Sequence, residues 1–484
     1  MAFIKNILLA TTILTSTTAL AASLAPEQVL QQVIDHYPSV SIAAIEIERA
    51  QQSIKVAESQ LGWQMQAQAG IERGVGLFGT TADRLSIGAG ASRMLESGSS
   101  LSIDGGVNRE DNATVLSPAM PNPATASKIG ISYRQPLSQN TAQRTFEELK
   151  TTAKLDLDLA RAESDETYDQ LASKVIEIYF AVAVLQAGIE NVQDSITRSR
   201  RLQKYIKDKA SLGISEQKDI LQVDAQLNAL LAEKEKMEIS RTQQQVALNR
   251  LMGQSWDKNF TVKYSASELT GDFASLYSAA KKYSPKIKLL EARLAQTDSA
   301  IRSRRELKQD ALDLVLFAGG QNYKGDSAMG GSSETELTGG LRLEYKENMD
   351  KSGVDAELYQ AQLERSKVLY DRNLLLEDLT YKLAGLLAEV KANNQSIRAY
   401  EKSVNSEKQK VDEAMKRYRS GRIDTDVLIK FEDQLSLASY SLELQRIALV
   451  QRNYQLQIVL GTLWNNIKKP EFQDHLNESV GASY

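Results

Sequence analysis

Two periodicities divide the chain. Leu428, Leu435, Leu442, Leu449, Leu456 and Leu463 recur at every seventh position, which puts them on one stripe of a helix and predicts a long helix–helix seam. Another helix is predicted from about Asp350 to Ser420, roughly 70 residues or about 105 Å at 1.5 Å per residue. No compact globule has a core that long. Elsewhere the period is two. In LGWQMQAQAGI, Met65, Ala67, Ala69 and Ile71 interleave with Gln64, Gln66 and Gln68; in GLRLEYK, Leu341, Leu343 and Tyr345 interleave with Arg342, Glu344 and Lys346. Such alternation predicts strands with one apolar and one polar face. Arg84–Met94, Ser99–Arg109, Ser127–Leu137 and Asp310–Gly319 read the same way. Lengths of about 9–11 residues suit tilted strands of a membrane barrel, and they also suit a soluble half-buried sheet.

Helix breakers fall where this division needs them. The eight prolines leave 137–284 and 286–469 with only Pro285 between them, and 11 of the 27 glycines lie in 62–130 and seven in 319–340. The chain also repeats itself. A shift of 208 residues superposes Gly213 on Gly421, Gln226 on Gln434, Leu227 on Leu435, Gly253 on Gly461 and Trp256 on Trp464; a shift of 247 puts Pro38 on Pro285 and Ile54 on Ile301. Spacing of this kind marks a duplicated element. The predicted layout is a first repeat over 22–253 (short helix, strands in 61–137, long helix 140–211, helix 215–253) and a connector at 254–283 with a short strand and a small helix. A second repeat follows over 284–464 (short helix, strands in 310–346, long helix 350–420, helix 423–463), then a polar tail at 465–484.

Composition narrows the function classes. Hydrophobic content of 42%, charged content of 25% and a formal charge of -4 describe a folded chain with no basic field for nucleic acid. MAFIKNILLATTILTSTTALAAS has the layout of a secretory signal peptide, predicted to occupy 1–21, so the mature chain is expected to be exported. With no cysteine there is no disulfide framework, thiolate metal site or lipid-modified Cys. Beyond the signal, no run of about 18 apolar residues is read as a transmembrane helix, so a crossing would use strands. Catalytic chemistry finds little support: the two histidines, His36 and His475, lie in opposite terminal segments. GVGLFG at Gly74–Gly79 runs into TTADR rather than a helix, against a dinucleotide site. No enzyme activity, cofactor or metal is expected.

Taken in order, SxxPEQVL with HYPSV, the SYRQPLSQN strand-to-helix junction, the two Gly turns and YQLQIVLGTLW resemble the TolC-type outer-membrane channel proteins of efflux pumps and type I secretion systems. The resemblance spans essentially the whole mature chain. It implies an α+β membrane protein: a homotrimeric outer-membrane β-barrel continued by a long antiparallel coiled-coil α-helical barrel in the periplasm of a Gram-negative cell, with two internal structural repeats per chain. It further implies a periplasmic adaptor (membrane fusion protein), an inner-membrane ABC or RND-type pump and outer-membrane lipid as partners. Two departures stand out. Members commonly carry two strands per half, whereas 62–137 holds four alternating segments, so three chains would build an eighteen-stranded barrel or leave a hairpin outside a twelve-stranded one. Many relatives also begin with an acylated Cys, absent here.

The interesting residues then lie at the two helix turns, KDKASLGISEQKDILQV (Lys207–Val223) and RYRSGRIDTDVLIKF (Arg417–Phe431). A Gly in each can end one helix so that the next folds back. Glu216 and Asp219, or Asp424 and Asp426, then offset the positive end of the new helix. In the family an Asp six residues after the first Gly pairs with a Tyr three before the second, and an Arg just after the second Gly joins them. Asp219 and Tyr418 match; Arg422 stands one place early. The implied periplasmic gate is Asp219, Tyr418, Arg422 and Asp426. One acid ring comes from Asp426, because Lys430 stands where a second acid would. Leu212, Gly213, Ile214, Ser420 and Gly421 form the tips where an adaptor would dock. The competing reading is a structural coiled-coil envelope protein without transport activity, against which the amphipathic strands argue.

Overall fold

The computed structural model describes residues 22–75, 81–115, 117–138, 141–211, 216–265, 271–347, 349–465 and 467. The signal segment, the first tip at Leu212, Gly213 and Ile214, most of GVGLFG, and the tail with His475 lie outside the described residues. In chain order the elements are β1 (Ala22–Leu24), α1 (Pro26–His36), α2 (Pro38–Ser59), β2 (Gln64–Val75), β3 (Thr81–Met94), β4 (Ser100–Asn112), β5 (Ala124–Pro136), α3 (Thr141–Ser211), α4 (Gln217–Leu251), β6 (Phe260–Val262), α5 (Phe273–Tyr283), α6 (Pro285–Glu306), β7 (Ala311–Ser327), β8 (Gly330–Lys346), α7 (Ser352–Arg419) and α8 (Thr425–Leu460). Where the sequence suggests one short helix at the start, two are found. Tyr37 takes extended backbone, φ -82° and ψ 125°, as the residue before a proline prefers.

These elements form two compact units, one of residues 22–41, 167–284 and 378–467, the other of 42–166 and 285–377. Each unit draws on both halves of the chain, so neither coincides with a predicted repeat.

The second unit is built on one antiparallel sheet of six strands in the order β2-β3-β4-β5-β7-β8. Its register explains the alternation. Met65, Ala91, Ile103, Ile131, Ala318 and Gly339 pair across the sheet as one row. The adjacent row is polar or glycine: Gln66, Gly90, Asp104, Gly130, Gly319 and Thr338. The apolar face is left open, with Met65 and Leu337 85% exposed and Ile129 66%, which is far outside what a water-facing sheet tolerates. On the polar face Arg84 lies 3.2 Å from Glu110 and 3.5 Å from Glu72, and Arg134 lies 2.8 Å from Asp313 and 2.9 Å from Glu344. Glycine is needed where the strands crowd: a Cβ on Gly319 would stand 2.8 Å from the Ile129 carbonyl oxygen. Trp63, Tyr133 and Tyr345 continue the apolar side at the end of the strands next to the helices, as interfacial aromatics do. The helices there are braced by Arg304, which reaches both Glu148 of α3 (3.3 Å) and Glu357 of α7 (2.8 Å).

The first unit is helical. Its core packs Val29, Leu30 and Val33 of α1 against Ile176 and Phe180 of α3 and Ile447 of α8. The Tyr179 hydroxyl reaches the carbonyl oxygens of Leu24 (2.8 Å) and Lys263 (2.5 Å), clipping together the parallel pair of β1 and β6. Within Phe146–Ser211 one stretch is apolar enough to cross a membrane by composition, contrary to the sequence reading, and 56% of it is buried. Burial as a core element accounts for that apolarity. Of the predicted seam, Leu428, Leu442, Leu449 and Leu456 are buried in α8. Leu463 lies beyond the helix, which stops at a left-handed Gly461 (φ 68°). The two tryptophans aligned by the repeat differ: Trp464 Nε1 donates to Asp169 Oδ1 at 2.8 Å, while Trp256 is 72% exposed.

The two faces of the sheet can be told apart by charge. Leu337→Arg, at the middle of β8 on the apolar face, is expected to cost about 2–4 kcal/mol in lipid. Glu336→Arg, one residue away on the polar face, should cost about 1 kcal/mol or less. Urea unfolding in bilayers measures both; equal costs would mean that the exposed apolar face does not meet lipid.

Candidate functional site

The second helix turn shows how the sequence reverses the chain. The Gly421 amide donates to the Tyr418 carbonyl at 3.0 Å and the Arg422 amide to the Arg417 carbonyl at 2.9 Å, the paired bonds of a Schellman ending. Gly421 sits at φ 70°, with nothing within 4 Å of where a Cβ would be. Glycine is therefore required by conformation and not by space. Asp424 follows as the extended N-cap of α8, and Glu216 is the corresponding N-cap of α4; neither side chain bonds a backbone amide. Their charges act on the helix ends electrostatically.

Tyr418 is where the two helical hairpins meet. It is buried with Leu202 and Ile206 of α3, Val223 of α4, Ala414 of α7 and Leu428 of α8, and its ring meets that of Tyr205 at 5.9 Å and 58°. Its hydroxyl shares a buried hydrogen bond with Thr425 Oγ1 at 3.0 Å. Burial lifts the phenol above its usual range; Asp219 pushes it further up, and the Thr425 bond and Lys209 pull it back. The ring therefore stays neutral, and any pairing with Asp219 is one of hydrogen bond and dipole.

Several charges around the turns face outward and are paired close by. Arg417 and Lys416 both approach Glu413, at 3.3 and 3.7 Å. Lys218 pairs with Glu216 at 3.0 Å, and Asp426 pairs with Lys430 one helical turn on at 3.6 Å. Lys218 is held above its usual range chiefly by its hydrogen bond to Glu216.

Of the residues singled out from the sequence, Asp219 and Tyr418 are therefore brought within electrostatic reach. Arg422 is exposed and makes no ion pair among the described residues. Asp426 is partly neutralised by Lys430. Ser420 and Gly421 form the turn itself. Sequence reasoning overlooked Thr425 and Tyr205. The signal for Thr425 was available, since a hydroxyl residue between two aspartates at a helix start is well placed to bond back across the turn.

Among the described residues no group of three or more His, Cys, Asp or Glu could hold a metal ion. His36 is structural: its Nδ1 lies 3.0 Å from the Gln32 carbonyl oxygen, and its Cβ would be 3.1 Å from a Cβ on Gly253.

No family model matches the chain. The outer membrane protein TolC of Vibrio cholerae serotype O1 (strain ATCC 39315 / El Tor Inaba N16961) is 25% identical over 371 residues, 74% of this chain and 80% of the relative. Among solved structures, the outer membrane protein VceC of Vibrio cholerae superposes with a TM-score of 0.64 at 16% identity, covering 90% of this chain and 96% of that one. The outer-membrane channel OprN gives 0.66 at 15% identity over 90% of each chain. Two of these relatives are described as outer membrane proteins and the third, OprN, as an outer-membrane channel. A related sequence, the shared fold and the exposed apolar face of the sheet agree: the chain is similar in sequence and fold to the TolC-type outer-membrane proteins, and its place is the outer membrane.

Proposed function

We propose that three copies of this chain form an exit duct that takes substrate from an inner-membrane pump across the periplasm and the outer membrane, with a gate at the helix tips. The observation that carries this reading is the six-stranded sheet, with its exposed apolar face and one unpaired edge at each end, β2 and β8. In hydrocarbon such edges have no water to bond, so the sheet has to close on other copies. The strand count permits it. Because neighbours alternate through an even number of strands, β8 of one copy runs antiparallel to β2 of the next, and three copies of six strands give a ring of about eighteen.

Two helical stripes support a head-to-tail ring. Ile42, Ile45 and Val56 of α2, and Tyr359, Leu363, Tyr370 and Leu374 of α7, are exposed apolar residues at helical spacing. Two different patches make a heterologous contact, the kind that closes rings. The duplicated layout of helix, strands and paired long helices in each half of the chain supports two internal repeats, hence six coiled-coil tips per trimer. An adaptor's helical hairpins would dock at these tips through Leu212, Gly213, Ile214, Ser420 and Gly421, and an ABC or RND-type pump would feed the duct. Efflux of small molecules and type I protein secretion are both served by such a path.

At the tips, the proposed latch is Asp219 and Tyr418 with Arg422 reaching a neighbouring coil. Exposed ion pairs contribute about 0–1 kcal/mol each, so docking can overcome it.

Three outcomes are expected. The double substitution Tyr370→Glu with Leu374→Glu should dissociate the trimer in native mass spectrometry, and an intact trimer would exclude this stripe from the subunit contact. In planar bilayers Arg422→Ser and Asp219→Ala should each raise the closed-state conductance several-fold; unchanged conductance would remove the latch. Trivalent cations should block the pore through Asp426. Asp426→Ala should abolish the block, and Lys430→Ala, which frees Asp426 of its partner, should tighten it.

A further inference from the structure

About two helical turns from Tyr418, a second set of contacts ties α3 to α8, and it is polar where the layer below is apolar. Arg198 Nε of α3 lies 2.5 Å from Glu432 Oε2 of α8, with the two side chains only 29% and 18% exposed. Arg198 Nη2 donates to Ser195 Oγ at 3.0 Å, Ser195 Oγ bonds Ser436 Oγ at 3.0 Å, and Asn191 Nδ2 donates to Ser436 Oγ at 2.8 Å. From α4, Gln226 Nε2 donates to Asp433 Oδ1 at 2.9 Å. In sequence Arg198 precedes Leu202 and Ile206 at four-residue steps, and Glu432 follows Leu428 at the same step. A charge pair thus occupies the seam that buried apolar residues hold nearer the tip.

We propose that Arg198 and Glu432 form a second clasp of the channel, which parts when α8 separates from α3 on opening, and that acid holds this clasp shut. The inference rests on the reading of the tips as a gate.

The sign follows from the surroundings of Glu432. Its carboxyl faces Arg198 on α3, Asp412 on α7 and Asp433 on its own helix. On α4 are Gln226, which bonds Asp433, and Glu233, whose charge acts on Asp433. Burial raises the Glu432 carboxyl above the ordinary carboxylate range, Arg198 draws it partly back, and Asp433 and Asp412 add to the rise. Moving α8 away hydrates the carboxyl and returns it towards its ordinary value. A group that holds its proton more tightly in the closed form favours that form as pH falls through the interval between the two values, and favours opening as pH rises through it. Acid that simply broke the ion pair and sprang the tip would require the closed-state carboxyl to be lowered, and it is raised. Protons have a route, because a small cleft lined by Ser195, Arg198, Ser199, Gln226 and Glu432 itself lies beside the pair.

The test uses the full-length channel in planar bilayers at constant salt. Open probability should fall as pH is lowered from about 8 to about 5, a range above the usual glutamate value. Glu432→Gln, which keeps shape and hydrogen bonding, should flatten that response. Arg198→Ala should shift it to higher pH, because the buried carboxyl loses its counter-charge. A Ser195→Cys, Ser436→Cys pair, unique in a chain without cysteine, should lock the channel shut at every pH when oxidised and release it on reduction. If Glu432→Gln titrates like the unaltered protein, or the oxidised pair opens as freely as the reduced one, the clasp is overturned. The tip latch is read separately, from Arg422→Ser and Asp219→Ala at fixed pH. A flattened response in Glu432→Gln beside silent tip variants would keep the clasp and discard the latch.

Discussion

Backbone hydrogen bonding in hydrocarbon is the constraint on which the rest of the structure depends. A single unsatisfied amide or carbonyl in lipid costs several kcal/mol, and β2 and β8 each carry a whole row of them. An isolated chain with this sheet is therefore incomplete in a membrane, and the remaining features follow from completing it. The even strand number would keep every junction between copies antiparallel. Uniform register across β2 to β8 keeps one face apolar over its full width, including the β5–β7 junction where the two halves of the chain join. A slip of one residue at that junction would turn half the sheet inside out, which is why the rows through Ile131 and Ala318 match as they do. The additional hairpin of the first half, left open by the sequence, is part of the same continuous sheet.

The helical unit obeys a different balance. The turn that is so rich in charge is held together by an apolar layer. Leu202, Ile206, Val223 and Leu428 pack around a neutral Tyr418, and each such side chain contributes about 1.5–3 kcal/mol by burial. The outward ion pairs contribute a fraction of that each. Cohesion at the tip therefore comes from packing, and charge decides orientation, partner choice and which ions approach. Asp426 illustrates the division: with Lys430 one turn away it adds little to the fold, yet under the proposed function it is the acid that would meet a cation.

Much of this was legible in the sequence because both periodicities are enforced by burial. The leucine heptad located α8, and period-two alternation located all six strands, since a strand with one face in lipid and the other in water has no alternative pattern. What escaped were two local breaks and features set by tertiary context. The break at Tyr37 follows from Pro38, and the end of α8 before Leu463 follows from Gly461 adopting a left-handed turn. Trp256 and Trp464 align perfectly and still lie in different environments, because the repeat fixes spacing and not neighbours. The apolar stretch of α3 carries its apolarity largely as a buried core face. At the helix turn, position by analogy brought Asp219 and Tyr418 together but could not reveal Thr425, whose hydrogen bond to Tyr418 arises from the closeness of the two ends of one turn.

Arg198 and Glu432 pose the remaining physical question, because a buried ion pair is a poor way to gain stability. Desolvation consumes most of its Coulombic attraction, and apolar residues of the same shape often hold a seam better. A seam built only of leucine would continue the cohesion of the Tyr418 layer along α3 and α8, and every added side chain would have to be stripped from its partner on opening. A polar segment weakens the seam at one level while still specifying register, since an Arg has one complementary position on the facing helix and a Leu has several. Opening then need not expose a long apolar stripe to water, because the groups uncovered at that level are ones water solvates well. The same weakness makes the segment responsive: its energy depends on a proton, whereas that of the leucines does not. The proposed gate, shut at rest and yielding to docking, would combine the two, an apolar layer for closure and a charged level where closure can be adjusted.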